Sequence, residues 1–435
     1  MARRYRILVI AEAANPEWVS VPLVGWSMAY ALRDVADVHI VTQVRNREAF
    51  LRAGLVEGTD FTSIDTERVA RPAHALATAI RGGAQKGWTL VTALSSLIYP
   101  YFERLAWKRF GAALKAGEYD IVHRITPLTP TTGSSLAARC SRLGIPFVVG
   151  PLNGGLPWPE AFADARRKEN EWLSRIRGAY KLLPNRSRML KAAKVILAGS
   201  RHTAAEIPSQ FQDKLIYMPE NGIDLNRFAK PNNGSAAPDA PLAGEMRLCF
   251  IGRLVPYKGP DMAILAAAPL LRKGGARLDL IGDGPLRKEL EDLATREGVA
   301  DRVHFHGWVA HNQVQDIARE SQIFLFPSVR EFGGGAVLEA MALGLAPVVV
   351  DYGGPGELIE PDRGIAVPLG TREEIISSLR KELDTLAANP GKAAELGRNA
   401  HRWATSKLTW QAKARAMVEV YAWALGDIAE KPKPF

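Results

Sequence analysis

Two series of short apolar runs alternating with helical stretches, parted by a segment that can build no core, restrict this chain to a two-domain α/β architecture. In the first series, residues 5–11, 37–43, 120–125, 146–150, 194–199 and 215–218 read as strands. Residues 19–32 carry small and apolar side chains at helical spacing, and residues 46–118 are mixed and largely helical. Residues 229–244, AKPNNGSAAPDAPLAG, have the composition of a linker. The second series follows, with strands over 247–252, 277–281, 303–307, 323–326, 346–350 and 364–367 and helices beginning near Pro260, Pro285, Asn312, Ala336 and Arg372. Such alternation predicts doubly wound parallel sheets covered by helices on both faces. Ligands bind these sheets at the carboxyl ends of the strands, and two sheets facing one another make a cleft. The expected domains are 1–228, a linker over 229–244, 245–406, and a helix with tail over 407–435.

A chain of 435 residues exceeds one ordinary core, and its 47% apolar and 23% charged fractions exclude disordered and fibrous classes. The net charge of +10 is uneven: residues 1–230 hold 32 basic and 20 acidic side chains, the remainder 24 and 26. Cys140 and Cys249 are the only cysteines, which argues against a disulfide framework or zinc site and for a reducing compartment. The apolar run 7–11 is too short for a signal-peptide core, so a cytoplasmic location is expected. Residues 88–102 are interrupted by Thr89, Thr92, Ser95, Ser96 and Pro100, too polar for a spanning helix.

The chemistry concentrates in residues 326–344, FPSVREFGGGAVLEAMALG. A strand end, three glycines (Gly333, Gly334, Gly335) and an Ala/Leu/Met-rich helix suit a phosphate: glycines admit close backbone approach, and a helix start offers unpaired N–H groups and a positive dipole end. Glu331 and Glu339 flank this cradle, and carboxylates accept from sugar hydroxyls. A loop before a core helix with two solvated glutamates is the other reading of the stretch. A second strand end, Gly252-Arg253-Leu254-Val255-Pro256-Tyr257-Lys258-Gly259, brings two cations suited to a diphosphate or to a solvated surface turn. A third, Ile281-Gly282-Asp283-Gly284-Pro285, lets a helix start close to a ligand.

IGRLVPYKG, IGDGPLRKEL, VHFHGWV and FPSVREFGGGAVLEAMALGLAPVV together resemble the donor-binding half of the GT-B glycosyltransferases, specifically the retaining transferases of glycosyltransferase family 4. Glu331 and Glu339 match the family's Glu-x7-Glu spacing, and residues 219–224, PENGID, resemble its segment at the end of the first domain. The resemblance implies two Rossmann-like domains facing across a cleft and retaining, metal-independent transfer of a hexose from a UDP- or GDP-sugar. The acceptor would be a sugar, polysaccharide-precursor or lipid-linked saccharide. It also implies that Arg253 and Lys258 bind the diphosphate, Glu339 the ribose and Glu331 the transferred sugar. Gly252, Gly282, Asp283, Gly284, Phe332, the three glycines, Val337 and Leu338 would line the donor. The chain departs from the pattern in reading Glu331-Phe332-Gly333-Gly334 where Glu-Gly-Phe-Gly is usual, and in having Ile125 where many members carry histidine.

On the acceptor side the candidates are His123 at a strand's carboxyl end, Asn153 and Gly154 on a glycine-rich turn, and Gly25 in the segment after the first strand. His123 reads either as a cleft-floor residue of catalytic use or as a histidine satisfied by backbone. Asn153 could bond an acceptor hydroxyl or hold its own turn. His304 and His306 read as structural, and no grouping has metal-ligand spacing, so no metal and no bound cofactor are expected. Residues 166–194 hold ten basic and two acidic side chains among apolar ones at spacings of three and four. That pattern fits a helix on an anionic membrane or one packed on its own sheet; no nucleic-acid motif accompanies it. A sugar-nucleotide epimerase or hydrolase, and a non-catalytic two-domain binding protein, are the competing functional classes.

Overall fold

The computed structural model describes residues 4–67, 88–163, 184–225 and 245–435. The linker expected over 229–244 and most of the basic segment 166–194 lie outside the described residues. The chain divides into two compact units, one of Met1–Gly155, Glu171–Glu220 and Trp410–Phe435, the other of Leu156–Asn170 and Asn221–Thr409.

The first unit holds a parallel seven-stranded sheet of β1 (Arg6–Ala11), β2 (Asp37–Gln43), β3 (Phe61–Ile64), β4 (Ile121–Thr126), β5 (Phe147–Leu152), β6 (Val195–Ala198) and β7 (Leu215–Tyr217). Their order is β3-β2-β1-β4-β5-β6-β7. β3 lies inside the stretch read as largely helical; only Phe61 and Ile64 of its four residues are buried, too little for an alternation to register. Strand alternation sorts the others into two cores. Ile7, Val9 and Ala11 of β1 and Ile121 and Ile125 of β4 join one; Leu8, Ile10 and Val122 join the core on the opposite face.

The chain's last helix, Trp410–Leu425, belongs to the first of these cores, burying Ala414, Met417, Val420 and Tyr421 there. The closing segment is therefore part of the first unit and not an element apart, because its apolar stripe completes that core. The division also falls at Glu220/Asn221, earlier than 228.

In the second unit, β8 (Met246–Ile251), β9 (Ala276–Ile281), β10 (Val303–Gly307), β11 (Ile323–Phe326), β12 (Ala346–Val350) and β13 (Ile365–Val367) form a parallel sheet ordered β10-β9-β8-β11-β12-β13. Helices Pro260–Arg272, Arg287–Arg296, His311–Ala318, Gly335–Ala342 and Arg372–Ala388 connect or follow the strands. Arg372–Ala388 starts on a capping box, Thr371 with Glu374, worth about 0.5–2 kcal/mol. Strand order reverses between β1 and β4 in one sheet and between β8 and β11 in the other, and such switch points open crevices at the strands' carboxyl ends.

Cys140 and Cys249 are free and buried, and burial pushes both thiols up to about 12. Among the described residues no helix is long and apolar enough to cross a membrane.

Candidate functional site

At the β8/β11 switch point the two strand-end loops are tied together. The backbone oxygen of Tyr257 accepts from Val329 N at 2.9 Å and from Ser328 Oγ at 3.2 Å. This brings Lys258, after β8, to Glu331, after β11: Lys258 Nζ donates to Glu331 Oε2 at 2.6 Å. The side chains are 15% and 23% exposed, so water screens the pair only in part. Lys258 Nζ also lies 5.1 Å from the centroid of the Phe326 ring.

Behind Glu331 the chain turns through Phe332 and Gly333 into the helix Gly335–Ala342. Its cap, Gly334, sits in the left-handed region at φ +61°, and a Cβ there would come within 2.8 Å of Leu358 Cδ1. Leu338 N donates to Gly334 O at 3.0 Å, which leaves the N–H groups of Gly335, Ala336 and Val337 as those the helix does not itself use. Val337 and Leu338 are buried. Leu338 is accordingly corrected from a donor-lining residue to a core residue, since its side chain and its amide are both spent. Glu339 is half-buried on the next turn.

Arg253 is exposed at the end of β8. Gly252, Gly282 and Gly284 join the loops after β8 and β9: Gly252 N donates to Ile281 O and Leu254 N to Asp283 O, both at 3.0 Å. Asp283 is exposed and its Oδ1 accepts from Gly284 N at 2.8 Å. His306 Nε2 meets the buried Asp279 carboxylate at 2.7 Å, while His304 is exposed. Among the described residues no group of three or more His, Cys, Asp or Glu could hold a metal ion.

In the first unit His123 is fully buried. Alternation places it on the face of Ile121 and Ile125, under the helix carrying Tyr421, and its Nδ1 pairs with Tyr421 Oη at 2.7 Å and its Nε2 with Gly150 O at 2.9 Å. Both ring nitrogens are spent, which corrects its candidacy as a catalytic group exposed to substrate. Burial holds it down to about 4, so it stays neutral while the unfolded chain's histidine takes a proton near its ordinary value. The unfolded state thus binds more protons between those values, and stability falls as pH drops through that window. Chemical denaturation at pH 7 and pH 5 should differ by about 2 kcal/mol from this group, and a His123→Gln protein should lack that part of the slope.

Asn153 Nδ2 donates to Glu220 Oε2, and its Oδ1 accepts from Gly155 N at 3.1 Å, so it holds its turn. Gly154 N donates to Thr203 Oγ1 at 2.9 Å. The segment at Glu220 is held in turn by Lys413 of the last helix, whose Nζ donates to Pro219 O at 2.6 Å and Glu220 O at 3.1 Å. Burial lowers the Lys413 ammonium to about 7. Nothing in the sequence singled out Lys413: a lone lysine in an amphipathic tail reads as solvated. Gly25 packs within the helix Val21–Leu32 against Ala13 and Thr126 at the β1/β4 switch point.

Residues 240–403 match the family model of glycosyl transferases group 1. A D-inositol 3-phosphate glycosyltransferase of Streptomyces bingchenggensis is 29% identical over 250 residues, 54% of this chain and 54% of the relative, so that match spans about half of the relative's length. One from Gordonia bronchialis is 28% identical over 338 residues, 74% of this chain and 70% of the relative. A crystal structure of Anabaena HepE in complex with UDP superposes with a TM-score of 0.60 over 96% of this chain and 100% of that one, at 17% identity. The matched model falls within the second unit's part of the chain, and the two doubly wound sheets give the chain the GT-B fold.

Proposed function

We propose that the chain transfers a hexose from a UDP- or GDP-sugar to a hydroxyl of a saccharide or lipid-linked saccharide, with retention and without a metal. The observation that carries this reading is the Lys258–Glu331 pair at the β8/β11 switch point, set before a helix start whose first three N–H groups have no partner within the helix. An ammonium has three donors, so Lys258 can keep Glu331 and still take a phosphate oxygen, while the remaining Glu331 lone pairs accept from sugar hydroxyls. The sugar–phosphate bond breaks with its electron pair leaving on the diphosphate. The acceptor oxygen joins the same face of the sugar, and its proton passes to the departing phosphate. Arg253, Lys258 and the helix start stabilise the charge that accumulates there. The basic stretch 166–194 supports a peripheral, salt-sensitive seat on the anionic inner face of a membrane, where a lipid-linked acceptor would be presented.

A panel of nucleotide sugars, read by thermal stabilisation, tests the donor, because a ligand that binds only the folded state raises its melting temperature. Release of nucleoside diphosphate that depends on added acceptor separates transfer from hydrolysis. Chelator should leave the rate unchanged. With the donor in hand, Glu339→Ala should weaken nucleotide binding through the lost ribose contacts, by about 1.5–3 kcal/mol, while Glu331→Ala should spare nucleotide affinity and lower turnover. Unchanged nucleotide affinity in Glu339→Ala would reverse the assignment of the two ends.

A further inference from the structure

The chain leaves β5 through Asn153–Gly155, and the residues after it, Leu156–Asn170, belong to the second unit. The described part of that segment lies on the loops that hold Lys258 and Glu331. Leu156 is buried with its Cδ1 against Gly353, too close for any Cβ at that glycine. Pro157 O accepts from Tyr352 Oη at 2.9 Å. The Trp158 ring meets Tyr257 edge-on, centroids 6.2 Å apart at 89°. Its centroid lies 4.9 Å from Arg330 Cζ, and the Phe332 ring lies 5.4 Å from the same atom, so the buried guanidinium is shared between two aromatic rings.

These contacts fall on particular neighbours. Tyr257 directly precedes Lys258, and Arg330 and Phe332 bracket Glu331. One indole therefore touches both loops that hold the ion pair. Glu331 is fixed from the other side as well, since its backbone oxygen accepts from Gly354 N at 3.1 Å, next to the glycine that Leu156 covers. A guanidinium over an aromatic face is attracted by the ring's negative face, more strongly when desolvated as here, which favours one loop geometry among several. The usual family loop would place glycine where Phe332 stands; here an aromatic ring replaces that freedom with a stack.

We propose that Trp158 is a positioning residue for the donor site: with Phe332 it clamps Arg330, and so holds Glu331 at the sugar end of the donor and Lys258 at its diphosphate. This rests on the donor-site reading above. Because Arg253 and the helix start lie outside the clamp, the nucleotide should still bind when the clamp is lost, while the sugar is presented poorly.

The test uses the full chain and the donor found by thermal stabilisation. Trp158→Ala is expected to lower kcat at least ten-fold with less than three-fold change in affinity for UDP or GDP, whichever base the donor carries. Trp158→Phe, which keeps a ring against Arg330, should recover most of the rate, and Phe332→Ala should reproduce the loss. If Trp158→Ala does not fold, Trp158→Phe and Phe332→Ala carry the comparison. A wild-type rate in Phe332→Ala, or Trp158→Phe no better than Trp158→Ala, overturns the clamp while leaving the transferase reading intact. Absence of any nucleotide-sugar binding by the wild-type protein instead overturns the donor-site reading itself.

Discussion

Alanine at Lys258 should lower turnover by about two to three orders of magnitude while the protein stays folded. Negative charge on the leaving diphosphate grows in the transition state, so a preorganised cation there counts for more than it does in the ground state. Lys258 is held in place by Glu331 and stands beside the Phe326 ring, so it need not be ordered anew in each turnover. Arginine is no substitute in that setting: a planar fork is larger than an ammonium and would displace Glu331, so Lys258→Arg should recover less than about a tenth of the rate. Arg253→Ala should also slow transfer strongly, and, being exposed, should not change stability. A simpler role for Lys258, as counter-ion to Glu331 alone, makes a different forecast. Lys258→Met combined with Glu331→Gln would then regain activity, since no charge is left unpaired. Steady-state kcat of that double variant within ten-fold of wild type would reassign the lysine.

Gly25→Ala should destabilise the first unit by about 2 kcal/mol or more. The added Cβ would overlap the Ala13 backbone oxygen and lie 2.9 Å from Thr126 Cγ2. Neither neighbour has room to yield. Ala13 N donates to Thr126 Oγ1 at 3.0 Å and Thr126 Oγ1 donates back to Ala13 O at 3.1 Å, locking the ends of β1 and β4 together. Gly275→Ala is the control, because its Cβ would meet nothing within 4 Å and its backbone is not left-handed; it should stay within about 0.5 kcal/mol of wild type. Urea denaturation of the three proteins reads the difference. A Gly25→Ala protein as stable as the control would return Gly25 to the list of surfaces facing an acceptor.

The second unit was the more legible because its central strands are buried on both faces, and their apolar runs stop abruptly at Gly, Pro or Asp. Residues 303–307, 323–326 and 346–350 have the bounds read from sequence. Lys258 and Glu331 were each recognisable, but their pairing depended on β8 lying beside β11, a matter of strand order that no local pattern carries. His123 failed for a related reason. Expected at a strand's carboxyl end, it is the third of the six residues of β4, and its fate was decided by Tyr421, far along the chain. Trp158 gave no local signal, since a tryptophan after a strand says nothing about which loop it will stack on.

The return of the helix Trp410–Leu425 to the first sheet has a consequence for biosynthesis. Domains of growing chains ordinarily fold from the N-terminal end as they emerge. Here the core that contains Ile7, Val9 and Ile121 also contains Met417, Val420 and Tyr421, which leave the ribosome only after the whole second unit has done so. Until then that face of the first sheet is covered only in part, by the helix Val21–Leu32, and His123 lacks one of its two partners. The unit encoded later is thus free to close first, and the unit encoded first is the last to be finished.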